Sequence, residues 1–169
     1  DIALTSDGSL YVSSMTLRQV FRVAMDGSVI PAAGTQGSIA TAMDGAPALE
    51  SYLGSPVSID FDALNRLYIA DNTFGSIRVV TTDGIINTIT DNENRVTDVA
   101  QLRVNNHGMT TLYATHTLDH RLTRMHYRTV SNSSQFQYVH YPHFIILKEG
   151  IYGLEEPIKA AVETALDDL

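Results

Sequence analysis

The sequence predicts an all-β chain, a partial β-propeller of about three four-stranded blades followed by a short C-terminal helix. Three observations carry this. An ungapped offset of 57 residues takes Leu10-Tyr11-Val12 onto Leu67-Tyr68-Ile69 and Asp26-Gly27 onto Asp83-Gly84. The same offset takes Ile2, Thr16, Val20, Val23 and Val29 onto Ile59, Thr73, Ile77, Val80 and Ile86. A fainter third copy follows at 45 residues, with Leu112-Tyr113-Ala114 on Leu67-Tyr68-Ile69, Val104 on Ile59 and Leu122 on Ile77. Repeats of this length, each holding several short apolar runs, are the signature of stacked units.

Each copy reads as four strands. In the second they are Val57–Phe61, Arg66–Asp71, Ser76–Thr81 and Ile85–Thr90. Their apolar positions recur at every second residue, and each run is too short for a helix. Leu64-Asn65, 72–75 and Asp83-Gly84 separate them. Asp-Gly between two apolar strands is a strong hairpin signal, and Asp26-Gly27 repeats it in the first copy. In the third copy Thr129 replaces the turn glycine, and QFQYVHY (135–141) alternates as a last strand. Four antiparallel strands per copy make a propeller blade. A β-sandwich would share the turn spacing but not the self-similarity. The blades are expected over 1–34, 56–90 and 99–142, with 35–55 as the inter-blade loop and 143–169 as a tail. In the tail, Phe144–Leu147 is expected as a strand added to an open blade edge. EEPIKAAVETALDDL (155–169) is expected as an amphipathic helix. Ile158, Ala161, Val162, Ala165, Leu166 and Leu169 form its apolar stripe. It packs on this chain or docks on a partner through Ile158, Val162, Leu166 and Leu169.

GTQG (34–37), MDGAPALESYLGSP (43–56) and VSIDFDALNRLYIADNTFGSIRVVTTDGIINTI (57–89) together resemble the NHL-repeat β-propellers. The fit is specific over the second copy and weaker in the other two. The resemblance implies that Leu67-Tyr68-Ile69 packs between blades and that Asp71 holds the turn to the third strand. Ser14 and His116 occupy the position of Asp71 in the other copies, so Asp71 is read as architectural, like the turn residues Asp26, Gly27, Asp83 and Gly84. The 35–55 loop is then the crossing from one blade's outer strand to the next blade's inner strand. Such propellers close with about six blades. Three would leave two raw sheet faces, so further copies or other proteins are expected to complete the arc.

Composition bounds the alternatives. Apolar residues make up 44% and charged residues 18%, the balance of a folded protein. Net charge is −8, which argues against a nucleic-acid surface or attraction to anionic lipid. No apolar run approaches the roughly 18 to 20 residues of a membrane helix, so no membrane insertion is expected. There is no cysteine, hence no disulfide, thiolate metal site or cysteine nucleophile. The first residue is Asp1 and no targeting segment is visible, so a processed product or a piece of something longer is expected.

Catalytic patterns are sparse. The six histidines lie between His107 and His143, and His116 and His120 have metal-like spacing. In a strand-turn-strand that spacing need not converge, and no second cluster completes a ligand set. Turn or pH-sensitive interface histidines are the competing reading. Some NHL-like propellers are lyases with histidine-held metal in the channel, but this sequence lacks a matching set. Asp44 and Glu50 do not form an EF-hand series, and there is no phosphate-loop or nucleophile-elbow motif. Carboxylate pairs such as Asp60 with Asp62, or Asp167 with Asp168, are expected on opposite strand faces or at a helix end, giving no acid–base pair. No cofactor is expected. Asn132-Ser133-Ser134 is a glycosylation sequon and points to the extracellular or secretory lumen, with an organellar complex as the alternative.

The sequence therefore leads to a non-catalytic propeller module for protein binding or structural assembly, not an enzyme. The alternatives are a propeller hydrolase or lyase using His116 and His120, or one segment of a large extracellular adhesion protein.

Overall fold

The computed structural model describes residues 1–36, 44–90, 99–105, 110–116, 121–128 and 137–146. They form three antiparallel sheets. The first runs β1 (Ile2–Leu4), β2 (Leu10–Ser14), β3 (Gln19–Val23) and β4 (Val29–Ala33) in sequence order. The second holds β5 (Ala46–Pro47), β6 (Pro56–Phe61), β7 (Leu67–Asp71), β8 (Ser76–Val80) and β9 (Ile85–Thr88), in the order β5-β9-β8-β7-β6. The third runs β10 (Val99–Asn105), β11 (Thr110–His116), β12 (Arg121–Arg128) and β13 (Gln137–Ile146).

Two features differ from the expectation. The second blade has five strands, because the inter-blade loop lays Ala46 and Pro47 against Ile86 and Ile85 at the outer edge. Pro47 lacks an N–H, and such an edge is where proline is tolerated. Phe144 is not a separate added strand. It pairs with Thr123 inside β13, so the fourth strand runs through the expected boundary at 142. The C-terminal helix, with Ile158, Val162, Leu166 and Leu169, lies outside the described residues, as do Asn132 and His120.

The 57-residue repeat is reproduced pair by pair. Ile2 faces Val12, Leu4 faces Leu10, Leu10 faces Val23 and Val23 faces Val29. In the second blade Ile59 faces Ile69, Phe61 faces Leu67, Leu67 faces Val80 and Val80 faces Ile86. Residues directly opposite in an antiparallel pair share a sheet face. That face of the second blade packs on Ala3, Tyr11, Val20 and Ala33 of the first. Its other face, with Tyr68, Ala70, Ile77 and Val79, packs on Leu112 and Ala114 of the third. All five residues of β7 and all five of β8 are buried, since these strands are covered on both sides. At about 25 cal/mol per Å² of apolar area, this burial is the main force holding the blades in a stack.

The turns follow the same repeat. Gly8 sits at φ +84° between β1 and β2, and Asn65 takes the equivalent left-handed position at φ +58°. Asparagine tolerates that conformation better than most residues. Its Oδ1 accepts the Ser6 N–H at 3.0 Å and the Ser6 hydroxyl at 2.9 Å, which ties the two turns together across blades.

Candidate functional site

The inner strands β1, β6 and β10 bring their polar residues together at one end. The offsets that align the copies place Asp1, Ser58 and Arg103 at the same repeat position. The three side chains meet at Asp1. Its Oδ2 accepts the Ser58 hydroxyl at 2.6 Å and the Ile59 N–H at 3.1 Å. Arg103 Nη1 lies 3.7 Å from the same oxygen. Ser58 is fully buried, Asp1 is partly covered and the Arg103 side chain is exposed, so the cluster opens to solvent on the β10 side. Next to it, Asp60 Oδ1 accepts the Phe61 N–H at 2.9 Å and Oδ2 accepts the Val104 N–H at 2.7 Å. Val104 is the repeat partner of Ile59. A carboxylate of one inner strand thus binds the same backbone N–H of the next, twice.

Chemically, the cluster offers a carboxylate, a hydroxyl and a guanidinium. These groups can hydrogen-bond and orient a polar ligand. Among the described residues, no three His, Cys, Asp or Glu side chains come together as metal ligands would. His116 ends β11, opposite Val99 and Arg121 in the ladder.

Asp71 is fully buried. Its Oδ2 accepts the Gly54 N–H at 2.7 Å and its Oδ1 the Ser55 N–H at 2.8 Å. The carboxylate therefore holds the loop entering β6, where the family comparison implied the turn to the third strand. Asp26 accepts the Ser28 N–H and hydroxyl at 2.9 and 2.6 Å, with Gly27 at φ +83°. Gly84 takes φ +81° between Thr81 and Ile85, following Asp83. Asp60 and Asp62 bind different groups. Asp62 is buried, accepts the Leu64 and Arg66 N–H groups at 3.0 and 2.9 Å, lies 2.5 Å from Arg66 Nε and accepts the Tyr68 hydroxyl at 3.1 Å. Arg78 is fully buried and its Nη2 donates to Asp44 at 3.2 Å. Burial pushes its guanidinium below the ordinary value, opposed by the charges of Asp44 and Asp71.

No family model and no curated protein matches the chain. Solved structures do. A protein of unknown function from Bacteroides thetaiotaomicron aligns with 63% of this chain and 30% of its own, at 19% identity and TM-score 0.55. Virginiamycin B lyase from Staphylococcus aureus aligns over 83% of this chain and 41% of its own, at 19% identity and TM-score 0.50. A candidate gluconolactonase aligns over 82% and 48%, at 18% identity and TM-score 0.50. The chain folds as an arc of a β-propeller. It spans less than half the length of each of these proteins.

The expectation of a chain that is not an enzyme is corrected by these matches. The same arc occurs within a lyase and within a candidate lactonase, so the architecture is one that enzymes use. The expectation rests on the incomplete circle and on the lack of a catalytic set within this sequence. In those proteins more than half of the chain lies outside the arc.

Proposed function

We propose that this chain is an arc of an NHL-type β-propeller that works as a binding and assembly module, its stack continued by further blades. One observation carries the reading. Ile2, Leu4 and Val29 are 63%, 62% and 59% exposed, whereas their repeat partners Ile59, Phe61 and Ile86 are 0%, 8% and 0% exposed. The face that the second blade uses to dock on the first is left open on the first. A contiguous apolar face of this kind marks an interaction surface. The polar ends of β1, β6 and β10 would then line the axis of the completed ring, where a ligand meets Asp1, Ser58 and Arg103. Any chemistry of the whole ring would start from binding there.

The test is the mass and composition of the native particle by light scattering. A particle heavier than one 18.5 kDa chain, of one component or several, supports the reading. A stable single chain with no bound protein contradicts it.

A further inference from the structure

The turn between β2 and β3 carries an arginine where the second blade has a glycine. We propose that this Arg18, seated on Tyr52, anchors a docking surface for a protein segment that presents a carboxylate beside an apolar side chain. The surface lies at the strand ends and not on a sheet face, so it goes beyond the assembly reading above.

Arg18 and Gly75 are equivalent at the offset of 57 residues, and both take φ +56°. Glycine adopts that left-handed backbone freely, whereas a side chain there is strained. The first blade keeps the strained arginine, and keeps it exposed. Strain retained at such a position points to a use for the side chain. The guanidinium reaches across to the loop that enters β6. There Nη1 donates to the Tyr52 hydroxyl, and Cζ lies 5.4 Å from the ring centroid. Tyr52 in turn meets Phe74, from the turn between β7 and β8, edge-on at 5.8 Å. Both rings are half-buried. The donor fork is thus held in place, and little side-chain freedom is left to lose on binding.

Charge and neighbours define the occupant. Among the described residues, no carboxylate lies within ion-pair reach of Arg18. The chain as a whole carries 19 Asp and Glu against 11 Lys and Arg. An uncompensated guanidinium on an acidic chain attracts a carboxylate that the rest of the surface repels, and so sets where the partner sits. Met15 and Leu17, in the same turn, are 57% and 46% exposed, and Leu49, in the loop with Tyr52, is 52% exposed. An arginine and two aromatic rings flanked by exposed apolar side chains have the composition of an interface centre. The remaining guanidinium donors call for a carboxylate, and Met15 and Leu17 for an apolar side chain beside it.

The test selects displayed random short peptides on the purified chain and measures the enriched ones, labelled, by fluorescence anisotropy. The wild type is expected to enrich Asp or Glu next to Leu, Phe or Trp. Arg18→Gly installs the second blade's own residue. It is expected to weaken those peptides roughly tenfold to a hundredfold, through the loss of hydrogen bonds between charged groups. Tyr52→Leu removes the seat of the guanidinium and is expected to weaken them as well. The urea midpoint of Arg18→Gly is expected at the wild-type value, relief of strain offsetting the greater chain freedom of glycine. Several results overturn the proposal: no enrichment, enriched peptides without a carboxylate, or peptides that Arg18→Gly binds as tightly as wild type. A clearly lowered midpoint for Arg18→Gly also overturns it, since the arginine would then serve the fold. Displacement of the peptide by an equal concentration of free acetate overturns the protein partner. The particle mass tests the assembly reading separately.

Discussion

Asp60 Oδ2 accepts the backbone N–H of Val104 at 2.7 Å, joining the inner strand of the second blade to that of the third. The bond repeats the one that Asp1 makes to Ile59 a blade earlier. An inner strand has no sheet neighbour on its axial side, so its outward N–H groups need other acceptors. A carboxylate from the adjacent blade supplies one and fixes the spacing of the inner strands. Hydrogen bonds to charged groups contribute about 1.5–3 kcal/mol when partly shielded from water. Asp60→Ala is therefore expected to lower stability by roughly 1–3 kcal/mol, with faster hydrogen exchange at Val104, while Asp60→Asn loses less. An unchanged urea midpoint for Asp60→Ala would show that the bond contributes nothing.

Two glycines with similar backbone angles should respond differently. Gly27 and Gly34 lie at φ +83° and +88°. A Cβ at Gly27 meets nothing, but one at Gly34 collides with the Arg18 carbonyl oxygen. Gly34 is held there because its N–H donates to the Ala48 oxygen at 2.8 Å and its oxygen accepts Gln19 Nε2 at 3.1 Å. Gly27→Ala should cost only the left-handed strain, about 1–2 kcal/mol. Gly34→Ala must also displace backbone, and should cost clearly more in the same denaturation series. Equal losses would contradict the close approach.

Asp7 and Asp26 tune the stability of their hairpin turns to pH. The carboxyl of Asp7 is lowered from 3.8 by the Thr5 hydroxyl and then the Ser9 N–H. That of Asp26 is lowered from 3.8 by the Ser28 hydroxyl and then its N–H. A depressed folded value means that the folded state favours the charged form. The resulting stability is present above 3.8 and is lost as pH falls through the lower folded values. Asp7→Asn with Asp26→Asn should make the urea midpoint less steep in pH below about 4. A wild-type slope in the double variant would exclude these two groups. Both carboxyls are exposed, so the effect should be small.

Much of the fold was legible because it rests on periodicity. The strand Leu67–Asp71 and the turns at Gly27 and Gly84 follow from the 57-residue repeat of short apolar runs and from Asp-Gly pairs. The edge strand β5 was not legible. It is two residues long, contains Pro47 and is held by backbone bonds such as Gly45 N–H to the Ile86 oxygen, which leave no side-chain pattern. The site was legible only in part. Asp1, Ser58 and Arg103 share a repeat position, a signal present in the alignment of the copies. They differ in type, however, and only the approach of three inner strands shows that they meet. Asp62, Arg66 and Tyr68 looked like ordinary turn and strand residues, and their network depends on a buried turn carboxylate. Asp71 reads as architectural from the family resemblance and from Ser14 and His116 at its position in the other copies. The bonds to Gly54 and Ser55 cross sixteen or seventeen residues and could not be read from local spacing.

The stacking of blade on blade is tested by a double-mutant cycle on Tyr11 and Phe61. Their rings meet edge-on at 4.7 Å, one from each blade. Such a pair contributes about 0.5–1.5 kcal/mol beyond its buried area. Urea denaturation of Tyr11→Leu, Phe61→Leu and the double variant should therefore return a coupling energy of about 1 kcal/mol. A coupling indistinguishable from zero, with both single variants folded, would mean that the two blades do not pack face to face.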